Sequence, residues 1–376
     1  MSILTTELQK RKIPTLPQNW DRKKVLDEMQ KIQYGYLPPP PLEVKGIDRA
    51  PAADCFNGTA TYKKVDINCR LSTEDFHGMK TVPELGDTFI FDIDCYIPKK
   101  PSTKLPAIIA MNDREAFDFG TCPADYLCEQ GFAVFNLRYR KIANDPVNPN
   151  GLTQFEERGL DNFYYGTHLT NLISHGIGRR KAHAPGVIAL WAWGYSRVID
   201  YVHTLDFIDH SNIIGAGHSR IGKTVLLAGA MDERFACVFP NASCAGGVSL
   251  NHGCEMETLG SLVGLYPNSD LWFCDYAKNF AGENYLDTDG QPFDQHQLVA
   301  CIAPRKLYVG NAVDDVYCEA NSEYLALVAA NAGFIHPDRL PVTGDKFHEG
   351  NIGYHLREGG HAFTLEDWKM FVEFHK

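Results

Sequence analysis

The stretch Asn212-Ile-Ile-Gly-Ala-Gly-His-Ser-Arg-Ile-Gly-Lys223 constrains this chain more than any other. Ile213 and Ile214 run into a glycine turn at Gly217, and Ser219 stands at its apex. Val225, Leu226, Ala228 and Ala230 then recur as the apolar positions of a helix. A strand, a sharp turn and a helix in that order lift a serine hydroxyl above the end of a sheet. They also aim main-chain N–H groups at the space beside it. A hydroxyl is a weak nucleophile, so a base and an acid that orients it must come from elsewhere in the chain. The usual spacing of such a turn is G-x-S-x-G; here Ile221 takes the second glycine place and Gly222 follows.

The flanking pattern fits a sheet of this kind. Residues 1–50 read as a polar lead-in with a helical stretch from Trp20 to Ile32, ending in the extended run Pro38–Pro41. Residues 51–376 read as a single catalytic domain. Thr59–Leu71 and Asp87–Ile97 alternate apolar and polar residues, as antiparallel strands do. Leu105–Met111 and Phe132–Leu137 are short β-rich runs suited to buried central strands. Ala184–Val202 has helical periodicity, and Asn212–Gly215, Ala236–Phe239 and Lys306–Val309 are further buried strands. Helices at 219–231 and 318–332 lie between them, and a last amphipathic helix runs from Leu365 to His375. Strands alternating with helices predict an α/β-hydrolase fold: a doubly wound, mostly parallel sheet in a three-layer sandwich. The irregular, aromatic region around 250–300 is expected to be an insertion over the site.

In that fold the acid and the histidine follow the nucleophile in chain order, each on a loop after a strand. Lys306-Leu-Tyr-Val309 is followed by Gly-Asn-Ala-Val-Asp-Asp-Val-Tyr. Asp314 is favoured as the acid, Asp315 is adjacent, and Glu319 is a weaker alternative. Leu356-Arg-Glu-Gly-Gly-His-Ala-Phe363 carries a histidine after two glycines, where an unconstrained loop can reach the serine, so His361 is the expected base. His218, beside the serine, is read as a supporting polar contact.

Bulk properties close off other classes. A net charge of -11 argues against a nucleic-acid surface, and Arg179-Arg180-Lys181 reads as a solvated loop. The strongest apolar run, Val187–Trp193, falls far short of the roughly 18 residues that span a bilayer. Met1–Lys10 lacks the features of a signal peptide, which suggests a cytoplasmic protein unless a signal has been removed. The eleven cysteines are scattered and form no C-x-x-C pair, so reduced, packed thiols are expected. No H-E-x-x-H or zinc signature occurs. The expectation is an enzyme that uses no metal and no cofactor, with no membrane and no obligate protein partner.

Two further motifs carry a resemblance. Ala189-Leu-Trp-Ala-Trp-Gly-Tyr-Ser-Arg-Val-Ile-Asp200 and Gly217-His-Ser-Arg-Ile-Gly-Lys223 resemble the glucuronoyl esterases of carbohydrate esterase family 15. Gln33-Tyr-Gly-Tyr-Leu-Pro-Pro39, Asp294–Arg305 and Gly353–His361 match as well, so the likeness runs from about residue 33 to the end and is nearer the bacterial branch. It accounts for the shifted glycine. It implies hydrolysis of the ester between 4-O-methyl-glucuronate on xylan and an alcohol of lignin. Ser219 would be the nucleophile, His361 the base and Arg220 part of the oxyanion hole. Lys223 and a glutamate of Glu255-Met-Glu257, taken as Glu257, would bind uronate hydroxyls. Many members carry an acid just after the strand that follows the elbow helix, where this chain has Ala242. The resemblance therefore sends the acid to the Asp314/Asp315 loop. Tyr317 stands where bacterial relatives often have a tryptophan against the sugar. The rival readings are an acetyl xylan or other carbohydrate esterase of the same fold, and an inactive carbohydrate-binding homologue.

Overall fold

The computed structural model describes residues 2–376 apart from 14–15, 17–19, 73, 75–76, 78–85, 100–102, 113–120, 148–180, 267–268, 281–290 and 292. Arg179, Arg180 and part of the expected insertion at 250–300 lie outside the described residues. The chain divides into two compact units: Gln30–Ile214 with Pro267–Tyr276, and Met1–Met29 with Gly215–Tyr266 and Ala277–Lys376. Residues 1–50, read as one lead-in, are thus shared between the two. Among the described residues no helix is long and apolar enough to cross a membrane.

The unit beginning at Gln30 holds β1 (Glu43–Asp48), β2 (Ala53–Cys55), β3 (Ala60–Arg70), β4 (Thr88–Pro98), β5 (Leu105–Asn112) and β6 (Ala133–Arg138). It also holds Ile208–Ile214 of β7 (Ile208–His218). The order is β1-β3-β4-β6-β5 with β2 on the side of β3; β5 and β6 are parallel and the other pairs antiparallel. Ala107, Ile108, Ile109, Ala133, Val134 and Phe135 have no exposure, as expected of strands covered on both faces. The polar positions of β4 do not form a wet face. Asp92 and Asp94 are each 3% exposed, and Asp92 is bound by Arg138 at 3.0 Å and Lys64 at 3.3 Å. The helix Val187–Val202 is buried nearly all round. Its Trp191 and Trp193 donate their indole N–H groups to the carbonyls of Ala143 and Pro39, which fixes the proline run beneath it.

The other unit holds β8 (Cys237–Asn241), β9 (Lys306–Ala312), β10 (Lys346–Phe347) and β11 (Ile352–Arg357). β8, β9 and β11 pair in parallel in that order, and β10 pairs antiparallel with β11. Phe239, Tyr308, Phe363, Trp368 and Phe371 form an aromatic core between these strands and the C-terminal helix Leu365–His375. β11 alternates apolar Ile352, Tyr354 and Leu356 with Gly353, His355 and Arg357, which would suggest one wet face, yet every residue is buried, His355 and Arg357 included. Asp367 makes that possible, accepting hydrogen bonds from both. Burial opposes its charge, but the bond and charge of His355, the charge of Arg357 and the bond from Thr364 outweigh it and hold the carboxyl down to about 2.

A depressed carboxyl stabilises the fold fully above its ordinary value of 3.8 and loses that contribution as pH falls through about 2. The melting temperature should therefore drop between about pH 4 and pH 2. In Asp367→Asn the drop over the same interval should be shallower. Parallel curves for the two proteins would show that Asp367 is not the titrating group.

Candidate active site

The strand–turn–helix read from residues 212–223 is present, as β7 followed by the helix Arg220–Met231. Ser219 sits between them at φ 57°, ψ -127°, a conformation costly for a residue with a side chain and held here by its surroundings. Its N–H donates to the carbonyl of Asn241 at the end of β8, 3.0 Å away. The displaced glycine has a packing reason. A Cβ on Gly222 would meet Ser243 Cβ at 2.9 Å and the Asn241 carbonyl oxygen at 3.0 Å, so the helix can lie this close to β8 only with glycine there.

β9 and β11 are parallel neighbours, so the loops leaving Ala312 and Arg357 emerge from the same end of the sheet. They are bonded to each other: Val313 N–H donates to the Arg357 carbonyl at 2.9 Å, and Asp314 N–H to that of Gly359 at 3.0 Å. His361 is thereby brought to the elbow. The Ser219 hydroxyl lies 2.9 Å from His361 Nε2, and His361 Nδ1 lies 2.7 Å from Asp315 Oδ2.

Asp315, not the favoured Asp314, is the acid that meets the histidine. Val313 and Asp314 form the turn itself, closed by the Asp315 N–H on the Ala312 carbonyl at 3.3 Å while their own N–H groups bond to the histidine strand and loop, so it is the next residue, Asp315, whose carboxylate turns inward. Asp314 is exposed and Asp315 is 3% exposed. Asp315 Oδ1 accepts the N–H groups of Tyr317 at 2.9 Å and Cys318 at 3.0 Å. Burial opposes its charge, but the bond from His361 and these backbone donors prevail and hold the carboxyl below its ordinary value. Glu319 is engaged elsewhere, with Arg11 and the N–H of Glu255.

The family described as fungal glucuronyl esterase matches residues 81–335. The chain belongs to the glucuronyl esterase family. A carbohydrate esterase of an unknown prokaryotic organism is 37% identical over 196 residues, which is 50% of this chain and 44% of that protein. A 4-O-methyl-glucuronoyl methylesterase of Hypocrea jecorina is 29% identical over 238 residues, 60% of this chain and 43% of its own. The matched stretches thus span less than half the length of these relatives. The glucuronoyl esterase structure from Solibacter usitatus superposes with a TM-score of 0.75 at 22% identity, covering 95% of this chain and 92% of that one. That likeness establishes the α/β-hydrolase fold.

Within this glucuronyl esterase family member, Ala242 is buried at the end of β8, its N–H bonded to the Gly310 carbonyl at 2.8 Å. Close by, Cys244 and Cys318 form a disulfide across 74 residues of sequence. This corrects the expectation of reduced thiols throughout; the other nine cysteines are free. Spacing along the chain could not reveal the pair, because only the parallel placement of β8 and β9 brings their following loops together. The two sulfurs and the His361 ring lie within 4.8 Å of one another. The sulfurs are bonded to each other and the ring nitrogens face Ser219 and Asp315, so this cluster offers no metal ligand set.

Lys223, one turn after Ser219, is 1% exposed; its ammonium donates to Glu257 Oε1 and to the Ser243 carbonyl, both at 2.7 Å. Tyr317 is 51% exposed and stands edge-on to His361 with ring centroids 5.2 Å apart. Arg220 is half-buried on the first turn of the elbow helix. His218 does act as a polar support: its Nδ1 lies 2.8 Å from Asn241 Oδ1. Burial and the neighbouring charge of His361 push it down to about 4, which keeps it neutral beside the other imidazole.

Sequence reasoning passed over Glu323. It is fully buried, accepting from Ser243 Oγ at 2.9 Å, the Cys244 N–H at 2.6 Å and Asn311 Nδ2 at 3.1 Å. Burial pushes it up to about 7 against these bonds. On an alanine-rich helix it reads as an ordinary surface acid, and no local pattern marks it.

Proposed function

We propose that this protein is a serine esterase that cleaves the ester between the carboxyl of (4-O-methyl-)glucuronic acid on glucuronoxylan and an alcohol. The observation that carries the reading is the unbroken chain Ser219–His361–Asp315 with a buried Lys223, one helical turn from the serine, paired to the half-buried Glu257. His361 Nε2 takes the serine proton as Oγ attacks the ester carbon. Asp315 accepts the Nδ1–H and stabilises the imidazolium that results. The negative oxygen that develops lies at the N-terminus of the elbow helix, where the Arg220 N–H and guanidinium and the helix dipole favour it. His361 then protonates the departing alcohol, and water releases the uronate from Ser219 by the same steps.

An ammonium and a carboxylate held side by side present a donor and an acceptor to neighbouring sugar hydroxyls. An acetyl ester, whose acyl carbon carries only a methyl group, has no use for either on the acyl side. The names of the relatives agree with this reading: 4-O-methyl-glucuronoyl methylesterase for one, carbohydrate esterase for another.

Benzyl glucuronate should accordingly be cleaved with a kcat/KM at least about 10²-fold above that for acetylated xylose, since a site built to hydrogen-bond substrate hydroxyls rejects a group without them by up to about 10⁴- to 10⁵-fold. Lys223→Gln should raise KM for the glucuronate ester while leaving turnover of 4-nitrophenyl acetate within about twofold, since it removes binding and not chemistry. Comparable kcat/KM on the two sugar esters would transfer the protein to the general carbohydrate esterases. No turnover of any ester by a well-folded protein would make it a binding homologue.

A further inference from the structure

Asp367 lies in the first turn of the C-terminal helix and has no exposure. As a helix cap it needs only its partnership with Thr364, whose N–H and hydroxyl both lie 2.7 Å from Oδ2. It carries much more. Oδ1 accepts from Asn241 Nδ2 at 3.1 Å, His355 Nε2 at 2.8 Å and Arg357 Nε at 2.9 Å, and Oδ2 lies 3.0 Å from the same Arg357 nitrogen. Burying a charge this completely is unfavourable unless every lone pair finds a donor, and here they do.

Two of those donors lead to opposite halves of the triad. Asn241 holds the elbow: its carbonyl accepts the Ser219 N–H at 3.0 Å, and its side-chain oxygen lies 2.8 Å from His218 Nδ1. Arg357 holds the histidine loop. Its Nη1 donates to the Glu358 carbonyl at 2.8 Å; its Nη2 donates to Ala362 at 2.5 Å and lies 3.5 Å from the Gly360 carbonyl. Gly360 and Ala362 are the residues on either side of His361. The third arm, through His355, leads away to Tyr308 at 2.9 Å and from there to His348 at 3.0 Å.

We propose that Asp367 is a positioning residue for catalysis: by anchoring the elbow through Asn241 and the histidine loop through Arg357, it sets the distance between Ser219 and His361. It touches neither substrate nor reacting atoms and acts only through these two arms. β9 lies between β8 and β11, so the elbow's support and the histidine's strand are not neighbours in the sheet, and Asp367 bridges them from the C-terminal helix. The inference rests on Ser219 and His361 being nucleophile and base.

The test is the rate at which a fluorophosphonate probe labels Ser219, measured beside steady-state kinetics on benzyl glucuronate and the downfield proton resonance of the His361–Asp315 hydrogen bond. Labelling of the wild-type protein at Ser219 checks the underlying reading by itself; its absence would sink that reading and this one together. Given labelling, Asp367→Asn should slow both labelling and kcat by about 10- to 100-fold, the scale of a misplacement of order 1 Å, with KM nearly unchanged. The downfield resonance should shift or broaden. Arg357→Lys keeps the charge opposite Asp367 but cannot span the carbonyls around His361, so it should reproduce most of the loss. Asn241→Ser should give a smaller one, and combining Arg357→Lys with Asn241→Ser should cost no more than Asp367→Asn. If Asp367→Asn does not fold, the two arm variants carry the test alone. Folded variants labelled within twofold of wild type, with the resonance unmoved, would overturn the proposal whatever happens to the melting temperature.

Discussion

Replacing Ser219 with alanine is expected to abolish hydrolysis of benzyl glucuronate while leaving the fold intact. The hydroxyl is the only part of the side chain removed, and the strained backbone at φ 57° is held by Asn241 and the elbow helix, not by the oxygen. The loss should approach about 10⁶-fold in kcat, as for other members of a serine–histidine unit. His361→Ala should be nearly as damaging. The double variant should be little worse than either, because a base without a nucleophile and a nucleophile without a base are equally idle. Steady-state rates with each variant, and with both combined, decide the matter. Additive losses would mean that the 2.9 Å contact between Ser219 and His361 is not the one used in catalysis.

The second large effect separates two neighbouring carboxylates. Asp315→Asn should lower kcat by about 10³- to 10⁴-fold, because an amide facing Nδ1 favours the wrong tautomer of the imidazole and cannot stabilise its charged form. Asp314→Asn should leave kcat within about threefold, since an exposed carboxylate interacting through water contributes little. The buried Asp315 carboxylate also receives two backbone N–H groups from its own turn, so the variant loses charge there while the turn keeps its shape. Kinetics in which Asp314→Asn is the more damaging would make Asp314 the catalytic acid, one residue before the carboxylate that meets His361.

Much of this molecule is legible in its sequence, and the reasons differ by element. The nucleophile elbow can be read because its demands are local: an apolar run, small residues where backbones approach, and a serine between them. The buried strands Leu105–Asn112 and Cys237–Asn241 show in the same way, as short apolar runs. The C-terminal helix is legible from Leu365 to His375 because its amphipathic period is intact. His361 stands out through its flanking glycines and its place in the chain order. The resemblance to glucuronoyl esterases came from two motifs, both of which have packing reasons in the structure: the indole bonds of Trp191 and Trp193, and the approach of Gly222 to β8.

What sequence reasoning could not reach depends on how distant segments meet. Asp314 and Asp315 are both turn residues in a row of charges. Only the hydrogen bonds between the β9 and β11 loops decide which one turns inward. The Cys244–Cys318 bond joins loops 74 residues apart, and no spacing rule spans them. β11 escapes notice because His355 and Arg357 make it look solvated, and their burial is offset by an aspartate on another element. Glu323 and Asp367 look like helix-surface acids until the sheet is laid against them. The chain alone therefore determines the elbow serine, the candidate histidine and their order, because the signals for these are local. Which acid meets His361, and which buried groups bond both the elbow and the histidine loop, is decided by tertiary structure, because a buried charge is stable only where partners from several segments converge on it.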